Sequence, residues 1–396
     1  MTRGAANERL RSQKIRNLRA TPGPDMPDID IPALTHTVLL STFVLTFLFG
    51  AVLQRTHFCT MGAISDIVNI GDWSRMRMWV MAIGVAMIGT GVLAWAGLID
   101  PTKTIYTSAR LGWLSAAVGG LMFGFGMVLA SGCGSKTLVR IGAGNLKSLV
   151  VFVFLGLSAY MTLRGLFGVV RVNTVDTVAL ALPATQDLPS LVAQATGMAR
   201  GMLQLVLGVA IGAALVLWAL VGNGFRTFDN LLGGLAVGLI IVGMWYVSGH
   251  LGFVSEDPNT LEELFVGTNS GRMESLSFVA PYAYTLDWLM MFSDKSKVLT
   301  IGIVSVFGVI AGAAAYALLS RTFRWEGFGN TEDVANHMAG GILMGAGGVT
   351  ALGCTIGQGL SGVSTLAVGS FIVFATIIAG AMLAFRYQMW RLERMV

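Results

Sequence analysis

The sequence predicts an all-α integral membrane protein with about nine transmembrane helices, short re-entrant half-helices and internal inverted repeats. Three observations lead there. Of 396 residues, 54% are hydrophobic and only 12% are charged, whereas a soluble domain carries about 25% charged residues; mean hydropathy is +0.71. Apolar stretches long enough to cross a bilayer recur along nearly the whole chain. One glycine-rich motif also returns several times and contains every cysteine.

In chain order, residues 1–33 read as a polar, basic N-terminal tail: Arg3, Arg9, Arg11, Lys14, Arg16 and Arg19, then a Pro/Asp-rich linker without the apolar core of a signal peptide. The remainder, 34–396, reads as one transmembrane transport domain. Its spans are expected near 36–54, 77–98, 110–131, 147–170, 200–221, 229–248, 298–319, 333–353 and 366–386. Two stretches read as extramembrane, 173–198 and an acidic insertion at about 249–297 with Glu256, Asp257, Glu262, Glu263 and Glu274. Basic residues beside the spans, among them Arg75, Arg77, Lys136, Arg140, Lys147, Arg321 and Arg324, share one side when the C-terminus is inside. The net charge of +5 therefore points to topology and membrane lipids, not to nucleic acid.

The repeat is specific. "GGLMFGFGMVLASGCG" (119–134) matches "GGILMGAGGVTALGCT" (340–355), aligning Cys133 with Cys354. "GAVLQRTHFCTMG" (50–62) is a shorter copy: Gly50 precedes Cys59 at the spacing of Gly124 to Cys133 and of Gly345 to Cys354. A degenerate copy, 233–252, carries Val247 at that spacing. The units are expected around 36–70, 110–145, 229–252 and 333–364, with an odd number of spans between related units, which inverts their direction.

A lone membrane cysteine is ordinarily a small buried hydrophobe; three at one repeat position indicate function. Three thiols cannot all pair as disulfides, and four histidines without a CxxC pair make a poor metal site. The polar, small segments after each cysteine read as half-helices, whose free N–H groups bind anions. A thiol suits a terminal sulfur better than an oxyanion oxygen, so the expected ligand is a small sulfur-containing anion; thiosulfate fits both halves of the site. The expected path residues are Cys59, Cys133 and Cys354. Supporting contacts are expected from Gly62, Gly132, Gly134, Lys136, Arg140, Gly353, Gly357, Gln358 and His250, with no catalytic residue, cofactor or metal. Asp66 and Asp72 read as caps or partners of nearby bases, Asn145 as a further donor to an oxyanion, and Trp245 and Tyr246 as interfacial anchors. "GAGN" at 142–145 lacks the Lys-Ser/Thr ending of a nucleotide-binding loop.

On "SGCGSKTLVRIGAGNLKSL" (131–149), "HFCTMGAISD" (57–66), "LGCTIGQGLSG" (352–362) and "GMWYVSGHLG" (243–252), the chain resembles the YeeE/YedE family, the thiosulfate transporter family. The resemblance covers nearly all of 36–396. It implies thiosulfate uptake across the bacterial inner membrane, relay between cysteines at positions 59, 133 and 354, and a cytoplasmic sulfur carrier like TusA as partner. Two alternatives remain open at this point: a membrane sulfurtransferase passing on a cysteine persulfide, and a transporter of another sulfur or selenium anion.

Overall fold

The computed structural model describes residues 30–257 and 260–394; the basic stretch of the expected tail lies outside them. Helix α1 (Ile31–Thr56) starts where Asp30 accepts a hydrogen bond from the Ala33 N–H. It is followed by α2 (Thr60–Ile70), α3 (Ser74–Trp95), α4 (Trp113–Leu129), α5 (Gly134–Gly142), α6 (Leu146–Arg164), α7 (Leu166–Asn173) and α8 (Leu188–Thr196). The second half holds α9 (Arg200–Leu220), α10 (Phe228–Tyr246), α11 (Ala280–Met290), α12 (Ile301–Leu319), α13 (Thr331–Thr350) and α14 (Val368–Glu393). Strands are confined to two-residue pairs, Arg110–Leu111 with Leu180–Ala181 and Phe253–Val254 with Leu264–Phe265.

Among the described residues, eight segments are long and apolar enough to cross a membrane. The ninth expected span is α13, of comparable length; its first turn, Thr-Glu-Asp, lowers its hydropathy. Two of the eight segments, Ile31–Ile70 and Trp113–Gly142, run through a break at a cysteine. Large apolar side chains such as Leu40, Leu157 and Leu239 project outward, as a lipid-facing surface requires, while buried positions are rich in small residues that let helices approach. An added Cβ at Gly119 would lie 2.6 Å from the Gly347 carbonyl oxygen, and one at Gly126 would lie 2.8 Å from that of Gly340. Backbones of α4 and α13 therefore touch at two levels, and the repeated glycines are the reason.

The packing pattern reveals the repeat. Four units follow a plan of long helix, half-helix, long helix: α1/α2/α3, α4/α5/α6, α10/α11/α12, and α13/355–364/α14. The first and third units pack together through α1–α10, α1–α12 and α10–α3. The second and fourth do the same through α4–α13, α4–α14 and α13–α6. Half-helix contacts obey the same exchange, α2 on α14 matching α11 on α6. Helix α9 has no counterpart; it separates the halves and, by alternation of direction, inverts the second relative to the first.

This pattern corrects the register of the degenerate copy. Val247 does not precede a half-helix. It begins a π turn, Val247–Leu251, that extends α10, and the half-helix of this unit is α11, after an intervening excursion. The insertion read as wholly extramembrane therefore contributes to the core: Leu276, Phe278, Tyr282 and Ala283 are all buried. Trp245, expected at the interface, is fully buried and donates its indole N–H to Ser364 Oγ at 3.0 Å.

Candidate functional site

Each cysteine sits at the same joint. The long helix before it ends on a residue in the left-handed region two positions upstream: His57 at φ 51°, Ser131 at φ 56° and Leu352 at φ 57°. None is glycine, so each joint carries strain of about 1–2 kcal/mol. The chain then returns to extended backbone, and the cysteine precedes the next half-helix: Cys59 before α2, Cys133 before α5, Cys354 before the helical residues 355–364. At two of the joints the sulfur takes the part that a Ser or Asp oxygen plays at an ordinary helix start. Cys59 Sγ accepts from the Gly62 N–H at 3.5 Å and Cys354 Sγ from the Gly357 N–H at 3.4 Å. Cys133 stands at the equivalent position, but its sulfur makes no capping bond and meets Ser135 Oγ at 3.4 Å instead.

The three joints converge. All three cysteines are free and buried. The Cys59 thiol faces that of Cys133, and Cys133 also meets Ser135 Oγ, at 3.4 Å, and the Thr355 hydroxyl. Thr355 follows Cys354, so the third thiol adjoins the same cluster. Polar atoms here outnumber their ordinary partners: Thr60 Oγ1, Thr355 Oγ1 and Gln358 Oε1 are buried without a conventional hydrogen bond. Buried polar groups normally find partners, and here three at the helix N-termini have none.

The fourth unit closes the cluster without a thiol. The Phe278 N–H donates to Cys354 Sγ at 3.3 Å, and the Phe278 ring stacks on Phe49 with centroids 5.9 Å apart. Tyr282, in the first turn of α11, donates its hydroxyl to the Gly134 carbonyl at 2.6 Å. An added Cβ at Gly134 would lie 3.3 Å from the Phe278 carbonyl oxygen, a tight contact. Sequence reasoning missed Phe278, Tyr282, Ser135 and Thr355. For the last two the signal was present, because each flanks a repeat cysteine.

Cavities flank the cluster on one side and basic side chains on the other. On the Cys354 side lies a cavity of about 270 Å³ lined by Arg110, Arg171, Asp176, Gln186 and Gln358. A second, of about 250 Å³, reaches Gly353 and holds Glu274 and Tyr284. Tyr106, Arg171 and Leu352 line both. Burial pushes the Glu274 carboxyl above its ordinary range. On the Cys59 side stands a basic group: Lys136 and Arg75 both act electrostatically on His57, and Lys136 also on Cys59 and Cys133. Arg75 pairs with Asp66 at 3.2 Å and its guanidinium passes over Gly62; Asp72, just ahead of α3, accepts from the Ser74 N–H at 3.0 Å. Among the described residues Lys136 has no carboxylate within ion-pair distance.

The remaining expected contacts divide. Gly132 and Gly353 leave room for the stems of Lys136 and Gln358. Gln358 donates Nε2–H to the Ala351 carbonyl at 2.6 Å and keeps Oε1 unengaged. Gly357 lies against Ser277 and Tyr106. Arg140 turns back to the joint, donating to the Ser131 carbonyl at 2.8 Å. Asn145 is occupied as the cap of α6 and by Glu326. His250 lies apart: it is exposed on the π turn, its ring 5.0 Å from Tyr246.

Comparison with known sequences agrees with this architecture. The family model for sulphur transport matches residues 55–383, a span that includes all three joints. A protein named thiosulfate transporter TsuA from Spirochaeta thermophila is 28% identical over 347 residues, covering 84% of this chain and 94% of its own. One of the same name from Escherichia coli is 27% identical over 339 residues, covering 82% and 87%. A shorter match of 97 residues, at 29% identity, joins the chain to a probable transporter YedE of Escherichia coli.

Proposed function

The chain belongs to the sulphur transport family, and on that premise we propose that it carries thiosulfate across the bacterial inner membrane through the cluster of three thiols at the starts of the half-helices. The relatives named thiosulfate transporters support the substrate. The observation that carries the mechanism is the convergence of Cys59, Cys133 and the Cys354–Thr355 pair around orphaned buried hydroxyls.

Thiosulfate is collected in the cavities beside Arg171 and Arg110 and reaches Cys354 past Gln358 and Gly353. The sulfonate end is held by the N–H groups of a half-helix N-terminus, where the positive end of the helix dipole favours an anion. The terminal sulfur meets the thiol, a weak S–H donor and polarisable neighbour. Because Cys133 faces both other joints, the anion can pass from Cys354 to Cys133 to Cys59 while exchanging one helix N-terminus for another. It leaves toward Lys136 and Arg75, whose charge draws it on. No covalent bond to sulfur forms. Basic residues such as Arg75, Arg77, Lys136 and Lys147 on the Cys59 side support that side as cytoplasmic.

The test is uptake of sulfane-labelled thiosulfate into proteoliposomes holding the full chain, with sulfate, sulfite and selenate as competitors. Uptake blocked by unlabelled thiosulfate and not by sulfate is expected. Folded protein that takes up no thiosulfate would sink the proposal, and preferential competition by a selenium or other sulfur anion would reassign the substrate.

A further inference from the structure

Two acidic side chains stand on the approaches to Cys354; Asp176 is paired with Arg171, and an anion carrier has no evident use for the other. Glu274 lines the cavity of about 250 Å³ that ends at Gly353, the residue before Cys354. Its backbone is pinned to the π turn after α10: the Glu274 N–H donates to Ser248 Oγ at 3.2 Å, and Ser248 donates to the Glu274 carbonyl. The side chain accepts from the Ser270 N–H at 2.9 Å, with the Ser270 hydroxyl and the Asn269 N–H also acting on it.

No basic side chain among the described residues lies within ion-pair distance of Glu274. Arg171, the basic residue that shares the cavity from α7, is engaged by Asp176 at 3.0 Å. Arg272, on the same segment as Glu274, donates to the Thr104 carbonyl at 3.3 Å. Arg164, on α6, acts on Tyr284. The other titratable groups facing the cavity are the phenols of Tyr106 and Tyr284, both within electrostatic reach of Glu274, and the Cys354 thiol beside Tyr106. An ionised carboxylate here opposes a dianion without a cation to offset it, in surroundings that screen poorly. A protonated one offers an O–H donor instead.

Resting on the transport reading above, we propose that Glu274 is the proton-coupling group of the carrier: it binds a proton when the dianion occupies the approach to Cys354 and releases it after the anion has moved on, so that at least one proton enters with each thiosulfate. Binding of proton and anion are then reciprocally linked, each raising the affinity for the other. Burial also lifts the Glu274 carboxyl above its usual range.

The experiment uses the full chain in proteoliposomes with the membrane potential clamped at zero by valinomycin and equal potassium. Labelled thiosulfate accumulation is measured against an imposed pH gradient, and equilibrium exchange is measured without one. One coupled proton raises the wild-type accumulation limit about tenfold for each pH unit, acid outside. Glu274→Gln, neutral at every pH, should keep exchange but accumulate thiosulfate to no more than equal concentrations. Glu274→Asp should keep accumulation with a displaced pH midpoint. Wild-type accumulation indifferent to the gradient overturns the proposal, as does Glu274→Gln accumulating like wild type. If the Gln variant does not fold, an unshifted pH profile in the Asp variant overturns it instead. Absence of thiosulfate exchange in the wild type is a separate failure, that of the transport reading on which this rests.

Discussion

Three of the four repeat units end their first long helix on a left-handed residue and hand over to a half-helix through a cysteine; the unit α10/α11/α12 does neither. Its long helix runs on through the π turn Val247–Leu251, and the chain then makes its excursion before α11 begins. The thiol units offer sulfur, free N–H groups and orphaned hydroxyls. The fourth offers aromatic surface, Phe278 and Tyr282, with one N–H donated to Cys354 and one hydroxyl to Gly134. The same scaffold position thus serves two purposes, because the segment after the long helix decides whether the joint presents backbone or covers it. On the proposed reading, three joints make the binding surface and the fourth makes its wall.

The sharpest way to break this distinction is to substitute the central thiol and the central wall residue side by side. Cys133 touches both other joints, so Cys133→Ala should lower thiosulfate uptake by about 100-fold, the scale of removing one preorganised donor from a site where charge must be held. Thermal unfolding in detergent should move little, because a small buried side chain is exchanged for another. Tyr282→Phe loses one buried hydrogen bond, worth about 1 kcal/mol, or about fivefold in uptake if that bond fixes the N-terminus of α5. If the two variants are equally damaged, the fourth unit takes part in binding and the division into surface and wall is wrong.

A smaller effect sharpens the difference between the two approaches. Lys136 lies on the Cys59 side, partly exposed and without an ion-pair partner among the described residues. Lys136→Met should raise the apparent KM for thiosulfate by about threefold at low salt, the scale of a solvated charge interaction. The increase should shrink as ionic strength rises and screening takes over. A loss of uptake that salt does not alter would mean that Lys136 binds the anion inside the cluster instead of drawing it outward. Because Arg140 is committed to the Ser131 carbonyl, Arg140→Met should show no such salt dependence.

Each feature of the fold was readable in the residues only to the degree that it constrains them. The crossings of α4 with α13 need glycine, so "GGLMFGFG" and "GGILMGAGG" record them directly, and the cysteine spacing comes with them. The joint itself is recorded less openly: a left-handed residue usually appears as glycine, but His57, Ser131 and Leu352 fill the position here, with Gly132 and Gly353 one place later than the strain. The fourth unit is hidden for a different reason. Its half-helix is separated from its long helix by the excursion, so spacing from Gly238 leads to Val247, whereas the packing of α11 on α6 leads to Phe278 and Tyr282. Asn145 and His250 illustrate the remaining limit. Their chemistry suits an anion, but a capping bond and an exposed turn have already determined their use.

The smallest expected effect tests whether the strain at the joints is part of the device. Ser131 at φ 56° carries a side chain where glycine would cost nothing, and its carbonyl, not its hydroxyl, receives Arg140. Ser131→Gly keeps that carbonyl and removes the steric opposition to the left-handed conformation, while adding backbone freedom to the unfolded chain. The first term favours the variant by about 1–2 kcal/mol and the second opposes it by about 0.5–1 kcal/mol. The net is a gain of up to about 1.5 kcal/mol, visible as a small rise in unfolding temperature. Uptake should stay within about twofold of wild type, because Arg140 still holds the joint, at a net worth of about 1 kcal/mol or more for a charge-assisted bond. A more stable Ser131→Gly protein with normal uptake would make the strain incidental to the joint. A more stable protein with markedly slower uptake would mean that the strained residue keeps the half-helix free to change position, and that the three thiol units differ from the fourth in motion as well as in chemistry.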